Sequence, residues 1–134
     1  MDPYSPEIRS TLALVCDDVR FEVGNRLSLM GMFHAIAVQE LPASLMKFAV
    51  VNRLEGQGTA TAEVRVLSPD RSEVVAASNA SPIDLSAGGF TYNMVFFVNV
   101  VLAEAGTYWV QTLLDSEPVS EVPFSVGVHQ PDAV

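Results

Sequence analysis

Few residues in this chain are suited to chemistry. Cys16 and His34 are the one conceivable nucleophile and base. A thiol enzyme also needs an orienting third group and an oxyanion site, and no local signature announces either. Cys16 alternates with Leu12 and Leu14, where a free cysteine behaves as a small buried hydrophobe. His34 falls within an apolar run and His129 in the tail, so both read as structural. Asp17, Asp18 and Glu22 crowd one connection, and Asp84 lies in a long polar stretch. Loop carboxylates at one end of a β-domain can hold calcium, which takes six to eight oxygen ligands. The spacing matches no calcium loop, so solvated acids are expected, with a small-ligand or calcium-binding protein as the alternative function. One cysteine and two distant histidines make no zinc set. The glycines of 86-SAGG-89 precede a strand rather than a helix, which marks a turn and not a phosphate loop. The expectation is no catalytic residue, no metal and no cofactor.

The elements that must position these residues follow from size and pattern. A chain of 134 residues is the length of one domain and can bury a real core. With 49% hydrophobic and 17% charged residues it is not a disordered chain. The longest apolar run, Met94–Leu102, would cross only part of a bilayer, and MDPYSPEIRS lacks the apolar core of a signal peptide. The lone cysteine excludes an internal disulfide framework and fits a reducing, cytoplasmic setting. Sixteen acids against seven basic residues give a formal charge of -9. The six arginines and Lys47 are scattered, so the basic footprint that nucleic acid requires is missing, and anionic membranes are disfavoured for the same reason. The acidity reads as solubility.

No window shows helical period; alternation recurs instead, punctuated by Gly, Pro, Asn and Asp. Strands are expected over Thr11–Cys16, Leu27–Val38 (with a bulge at Gly31), Met46–Leu54, Thr59–Leu67, Glu73–Ala77, Thr91–Leu102, Thr107–Leu114 and Val119–Val128. The connections are 17-DDVRFEVGN-25, 40-ELPAS-44, 55-EGQG-58, 68-SPDRS-72, the long loop 78-SNASPIDLSAGG-89 and the hairpin turn 115-DSEP-118. Residues 1–9 and 129–134 are expected to be flexible ends. About eight strands with short connections predict a single all-β domain, a two-sheet antiparallel immunoglobulin-like sandwich.

Within 104-EAGTYWV-110, Glu104, Gly106 and Tyr108 resemble the acid-x-Gly-x-Tyr corner of immunoglobulin-like domains. The resemblance implies a buried Tyr108 ring whose hydroxyl bonds backbone a few residues upstream. The disulfide cysteine of extracellular members is Val110 here. The order of 14-LVCDD-18, 25-NRLSLMGMF-33, 41-LP-42, 106-GTYWV-110 and 122-VPFSV-126 is similar to a family of small bacterial single-domain sandwiches, a domain of unknown function. That resemblance implies no catalytic residue and no cofactor.

A surface remains. With Tyr108 inward, period-two alternation turns Trp109, Gln111 and Leu113 outward. If Met46–Leu54 shares their sheet with Phe48 and Val50 inward, the outer face gains Lys47, Ala49, Val51 and Arg53. Trp109, Leu113, Ala49 and Val51 would then form an apolar patch bordered by Lys47, Arg53, Glu63 and Arg65, the anatomy of a protein interface. The competing expectation is that the N-terminal arm or the Ser78–Gly89 loop covers Trp109. The function expected is a non-catalytic interaction module that forms a homodimer or docks another bacterial protein.

Overall fold

The computed structural model describes residues 7–129. Eight strands make up the described chain: β1 (Glu7–Glu22), β2 (Arg26–Met32), β3 (Ala35–Val38), β4 (Ala43–Leu67), β5 (Val74–Ala77), β6 (Ser81–Leu102), β7 (Gly106–Leu114) and β8 (Glu117–Val128). Among the described residues no helix is long and apolar enough to cross a membrane. The all-β class is as the alternation predicts, but the count of eight agrees only because two differences cancel. The run expected over Leu27–Val38 splits into β2 and β3, and Met46–Leu54 and Thr59–Leu67 join as β4. The sheet organisation differs.

One hydrogen-bonded sheet runs β2-β1-β4-β7-β8-β3, with β5 and β6 also pairing β4. The strand count predicts two separate sheets, with 55-EGQG-58 as a loop between two strands. Instead β4 is one strand of 25 residues that passes straight through that segment. Its first half lies between β1 and β6, while Ala62–Leu67 pairs with β7. The register with β6 shifts between Gly56 and Gly58, where φ is +145° and +125°. A Cβ on Gly56 would lie 1.8 Å from the Glu7 carbonyl oxygen, so glycine is what lets β1 approach the bend.

The sheet is also mixed rather than antiparallel, because β3 pairs β8 in parallel through Ala35–Val38 and Ser125–Val128. A parallel pair needs a crossover, and the four intervening strands supply it. The long loop expected at 78–89 largely joins β6, since Ile83 and Leu85 are buried against β4. Residues 17–22 likewise continue β1 as the partner of β2. Residues 7–9 are strand, not flexible arm, and the His129 N–H donates to the Val38 carbonyl. The rest of the two expected flexible ends lies outside the described residues.

The main core joins the two halves of the bent sheet. Val15, Phe48, Val50, Phe97, Val100 and Leu102 from one half pack with Val64, Val66, Tyr108, Val110, Phe124 and Val126 from the other. Phe48 stacks on Phe97 at 5.3 Å and meets Phe124 edge-on at 6.1 Å. Near the bend, Asn52 is fully buried yet satisfied. Its Nδ2 donates to the hydroxyls of Ser10 and Ser120 at 3.0 Å, and its Oδ1 accepts from Thr112 at 2.7 Å. One amide thus ties β1, β4, β7 and β8 together at a buried point where an unpaired group would cost about 1–3 kcal/mol. A separate cluster on the opposite face of β1 and β4 holds Cys16, Val19, Ala49 and Val51 under Leu27 and Leu29 of β2.

Candidate functional site

The segment that turns from β6 into β7 is built around Tyr108. Its ring is buried and stacked on Phe124 at 5.5 Å with 8° between the planes. Its hydroxyl donates to the Glu104 carbonyl at 2.7 Å and accepts from the Glu104 N–H at 3.4 Å. Burial pushes the phenol pKa up, so the hydroxyl stays a donor. Gly106 has φ +137°, and a Cβ there would press against Pro69 Cγ at 2.9 Å. The glycine is required twice, by its backbone angle and by the close turn beside it.

Trp109 points away from Tyr108 and is half-buried. The Arg71 guanidinium lies 4.2 Å from the centre of its ring. Arg71 is held by both carboxylate oxygens of Glu121, at 2.6 and 2.9 Å, and Glu121 also accepts from Gln111 at 2.7 Å. Arg71 first and Gln111 second hold the Glu121 carboxyl at a pKa of about 2. The turn between β4 and β5 thus reaches across β7 and lies over the tryptophan, where the N-terminal arm or the Ser78–Gly89 loop was the expected cover. A bidentate arginine stacked on an indole is the arrangement the flat guanidinium favours.

The patch expected around Trp109 does not assemble. Leu113 is buried, at 5% exposure. Ala49 and Val51 have no exposure at all, because the β1–β2 hairpin folds over them. They also sit in the wrong half of β4, since β7 pairs with Ala62–Leu67. Lys47 and Arg53 are accounted for locally. Lys47 pairs with Asp18 at 3.0 Å and lies over Phe96; Arg53 pairs with Glu55 at 2.6 Å and lies over Phe90.

The other candidate groups are dispersed too. Cys16 is fully buried, its thiol donates to the Asp18 carbonyl at 3.4 Å, and burial raises its pKa. His34 sits exposed between β2 and β3, and no hydrogen bond joins it to Cys16 among the described residues. Asp18 is taken by Lys47, whereas Asp84 lies on β6 opposite Thr59 and caps the Ser86 N–H. Among the described residues no three His, Cys, Asp or Glu side chains converge as a metal site would require.

What sequence reading missed is β6. Plain alternation over Thr91–Leu102 puts Tyr92, Met94, Phe96 and Val98 on one face with Val100 and Leu102. Asn99 has φ +54°, and across it the inward set changes from Phe97 to Val100. Tyr92, Phe96, Val98 and Val101 are consequently exposed, at 37%, 44%, 64% and 56%. No charged residue occurs from Leu85 to Ala103, and that silence in so acidic a chain was the available signal. Beside the strand, an open groove of about 390 Å³ runs between Ala77–Ser81 and Asn93–Phe97. Asn93 is 7% exposed, and its Nδ2 finds no acceptor among the described residues.

A family model of unknown function, DUF6941, matches residues 11–127. The chain belongs to that family. No curated protein is significantly similar in sequence. Among solved structures, an alkylpurine DNA glycosylase from Pseudomonas fluorescens, bound to DNA containing an abasic-site analogue, is 11% identical. The likeness covers 91% of this chain and 31% of that one, with a TM-score of 0.55. A β-glucosidase from Listeria innocua is 12% identical over 95% of this chain and 16% of its own, with a TM-score of 0.53. An immunoglobulin-like protein from Pseudomonas aeruginosa, 13% identical, is matched over 93% of this chain and 99% of its own at a TM-score of 0.47. The DUF6941 chain spans under a third of the length of the two enzymes, and the likeness to them is one of fold alone.

Proposed function

We propose that the protein is a non-catalytic interaction module, an immunoglobulin-like two-layer β-sandwich in which Tyr108 forms the corner and β6 makes contact with another protein chain. The bent sheet closing over one shared core, and the Tyr108 bond to Glu104, support the sandwich reading. The burial of Cys16, whose thiol donates to the Asp18 carbonyl and not to His34, supports the non-catalytic one. A single thiol suits a cytoplasmic, reducing setting.

The observation that carries the interaction reading is the exposed apolar row of β6. Phe90, Tyr92, Phe96 and Val98 follow one another on the part of β6 beyond Asp84, which carries no charge. Exposed apolar patches of this kind mark contact surfaces when they are contiguous. The contact surface therefore moves from Trp109, half-buried beneath Arg71, to β6, where Phe90 and Phe96 remain 53% and 44% exposed beside Arg53 and Lys47.

Phe96→Glu tests this. The side chain is 44% exposed, so the far-UV circular dichroism and melting temperature should stay close to those of the parent protein. Association, read as mass by light scattering and as recovery of tagged protein complexes, should be lost. An unchanged mass together with an unchanged set of captured partners would sink the proposal.

A further inference from the structure

An edge strand exposes a row of unpaired backbone N–H and C=O groups, and proteins guard such rows with short strands, charges, prolines or bulges. Three outer strands of this sheet follow that practice. β3 and β5 have four residues each, and β2 has seven, with Arg26 at its start and Gly31 at φ +68°. β6 does not. It has 22 residues and pairs only with β4, which leaves its other edge unpaired among the described residues. Over Phe90–Val98 there is no charge, proline or glycine. The guard comes only at the two ends, with Gly88 and Gly89 at φ +79° and +112° before it and Asn99 at φ +54° after it.

We infer that the partner of this edge is a second copy of the chain, added antiparallel along Phe90–Val98. The inference rests on β6 being the contact element proposed above, and it adds the mode and the partner. The fit of the row to itself favours a copy over a different protein. At a formal charge of -9 two copies repel over most of their surface, so they can meet only along an uncharged stretch, and Leu85–Ala103 carries no charge.

The outward row is self-complementary. A two-fold axis at Met94 sets Tyr92 opposite Phe96 of the second copy and Phe90 opposite its Val98, each pair occurring twice. Aromatic–aromatic and aromatic–β-branched neighbours are the cross-strand pairs that stabilise antiparallel sheets best. The paired stretch is about 30 Å long at ~3.3 Å per residue. The added strand would run along the groove lined by Ala77–Ser81 and Asn93–Phe97, bringing backbone carbonyls toward the unsatisfied Nδ2 of Asn93. An interface related by a two-fold closes on itself, so the product is a dimer and not a fibre.

The experiment combines light scattering of the full chain over a concentration series with hydrogen exchange of the β6 amides. A dimer mass is expected, with Phe90–Val98 amides gaining protection as concentration rises. Val98→Lys and Tyr92→Lys should each weaken the dimer at least tenfold. Val23→Lys changes the charge equally at a turn residue that is 96% exposed and should leave the dimer intact. A monomer at every concentration overturns the second-copy inference, whereas the broader interaction reading fails only if Phe96→Glu also leaves partner capture unchanged. A dimer with concentration-independent β6 exchange, or one that Val23→Lys dissociates as readily as Val98→Lys, overturns the edge pairing.

Discussion

Tyr108 and Trp109 are neighbours in sequence with opposite surroundings. The Tyr108 ring contributes to the core, and its hydroxyl closes a local bond to Glu104. Tyr108→Phe keeps the ring and removes only that bond. Because Glu104 is exposed, water can replace the lost donor at its carbonyl, so a loss of about 1 kcal/mol is expected. A urea midpoint lowered with the slope unchanged would show it. A bond from Tyr108 to backbone a few residues upstream was expected from the likeness of Glu104, Gly106 and Tyr108 to an immunoglobulin-like corner, and the hydroxyl does reach the Glu104 carbonyl. The cover over Trp109 was not legible, because Arg71 lies far from it in sequence and only the turn at 68–73 brings the guanidinium over the ring.

At the scale of elements, strand existence was legible and strand continuity was not. Alternation marks both halves of β4, but glycines at 56 and 58 look the same in a loop and in a bent strand. The difference is whether a neighbouring strand follows the bend, and β6 does. The same limit hid the inward set of β6, whose phase changes at Asn99 without any glycine to announce it. The β7–β8 hairpin was the easier case. Asp115 and Ser116 both have positive φ, +49° and +69°, the two-residue turn that matches strand twist. Ser116→Gly removes the side-chain penalty of that backbone region. It should raise stability by about 0.5–1 kcal/mol, measured by chemical denaturation. A fall in stability would mean the serine side chain matters to the turn.

For the molecule as a whole, acid is the informative perturbation. Glu121 and Asp70 both have carboxyls held at pKa values of about 2, Glu121 mainly by Arg71 and Asp70 mainly by Ser72. A depressed native pKa contributes stability above the unfolded value, near 4, and that stability is lost as pH falls toward 2. The urea midpoint should therefore drop between about pH 5 and pH 2. Glu121→Gln should start lower and show a shallower drop, since a neutral amide has no proton to take up. Equal slopes for the two proteins would show that the Arg71–Glu121 pair does not couple to folding.

By itself the sequence determined the all-β class, the burial of Cys16 and the acidity, because each depends on residue type and near-neighbour spacing; the bond from Tyr108 to backbone upstream followed from its resemblance to an immunoglobulin-like corner. Tertiary structure decided which faces meet solvent. A β-strand reports its two faces by alternation, but not which neighbour lies over either one. Here the β1–β2 hairpin covers Ala49 and Val51, Arg71 covers Trp109, and the uncharged row on β6 is left outside.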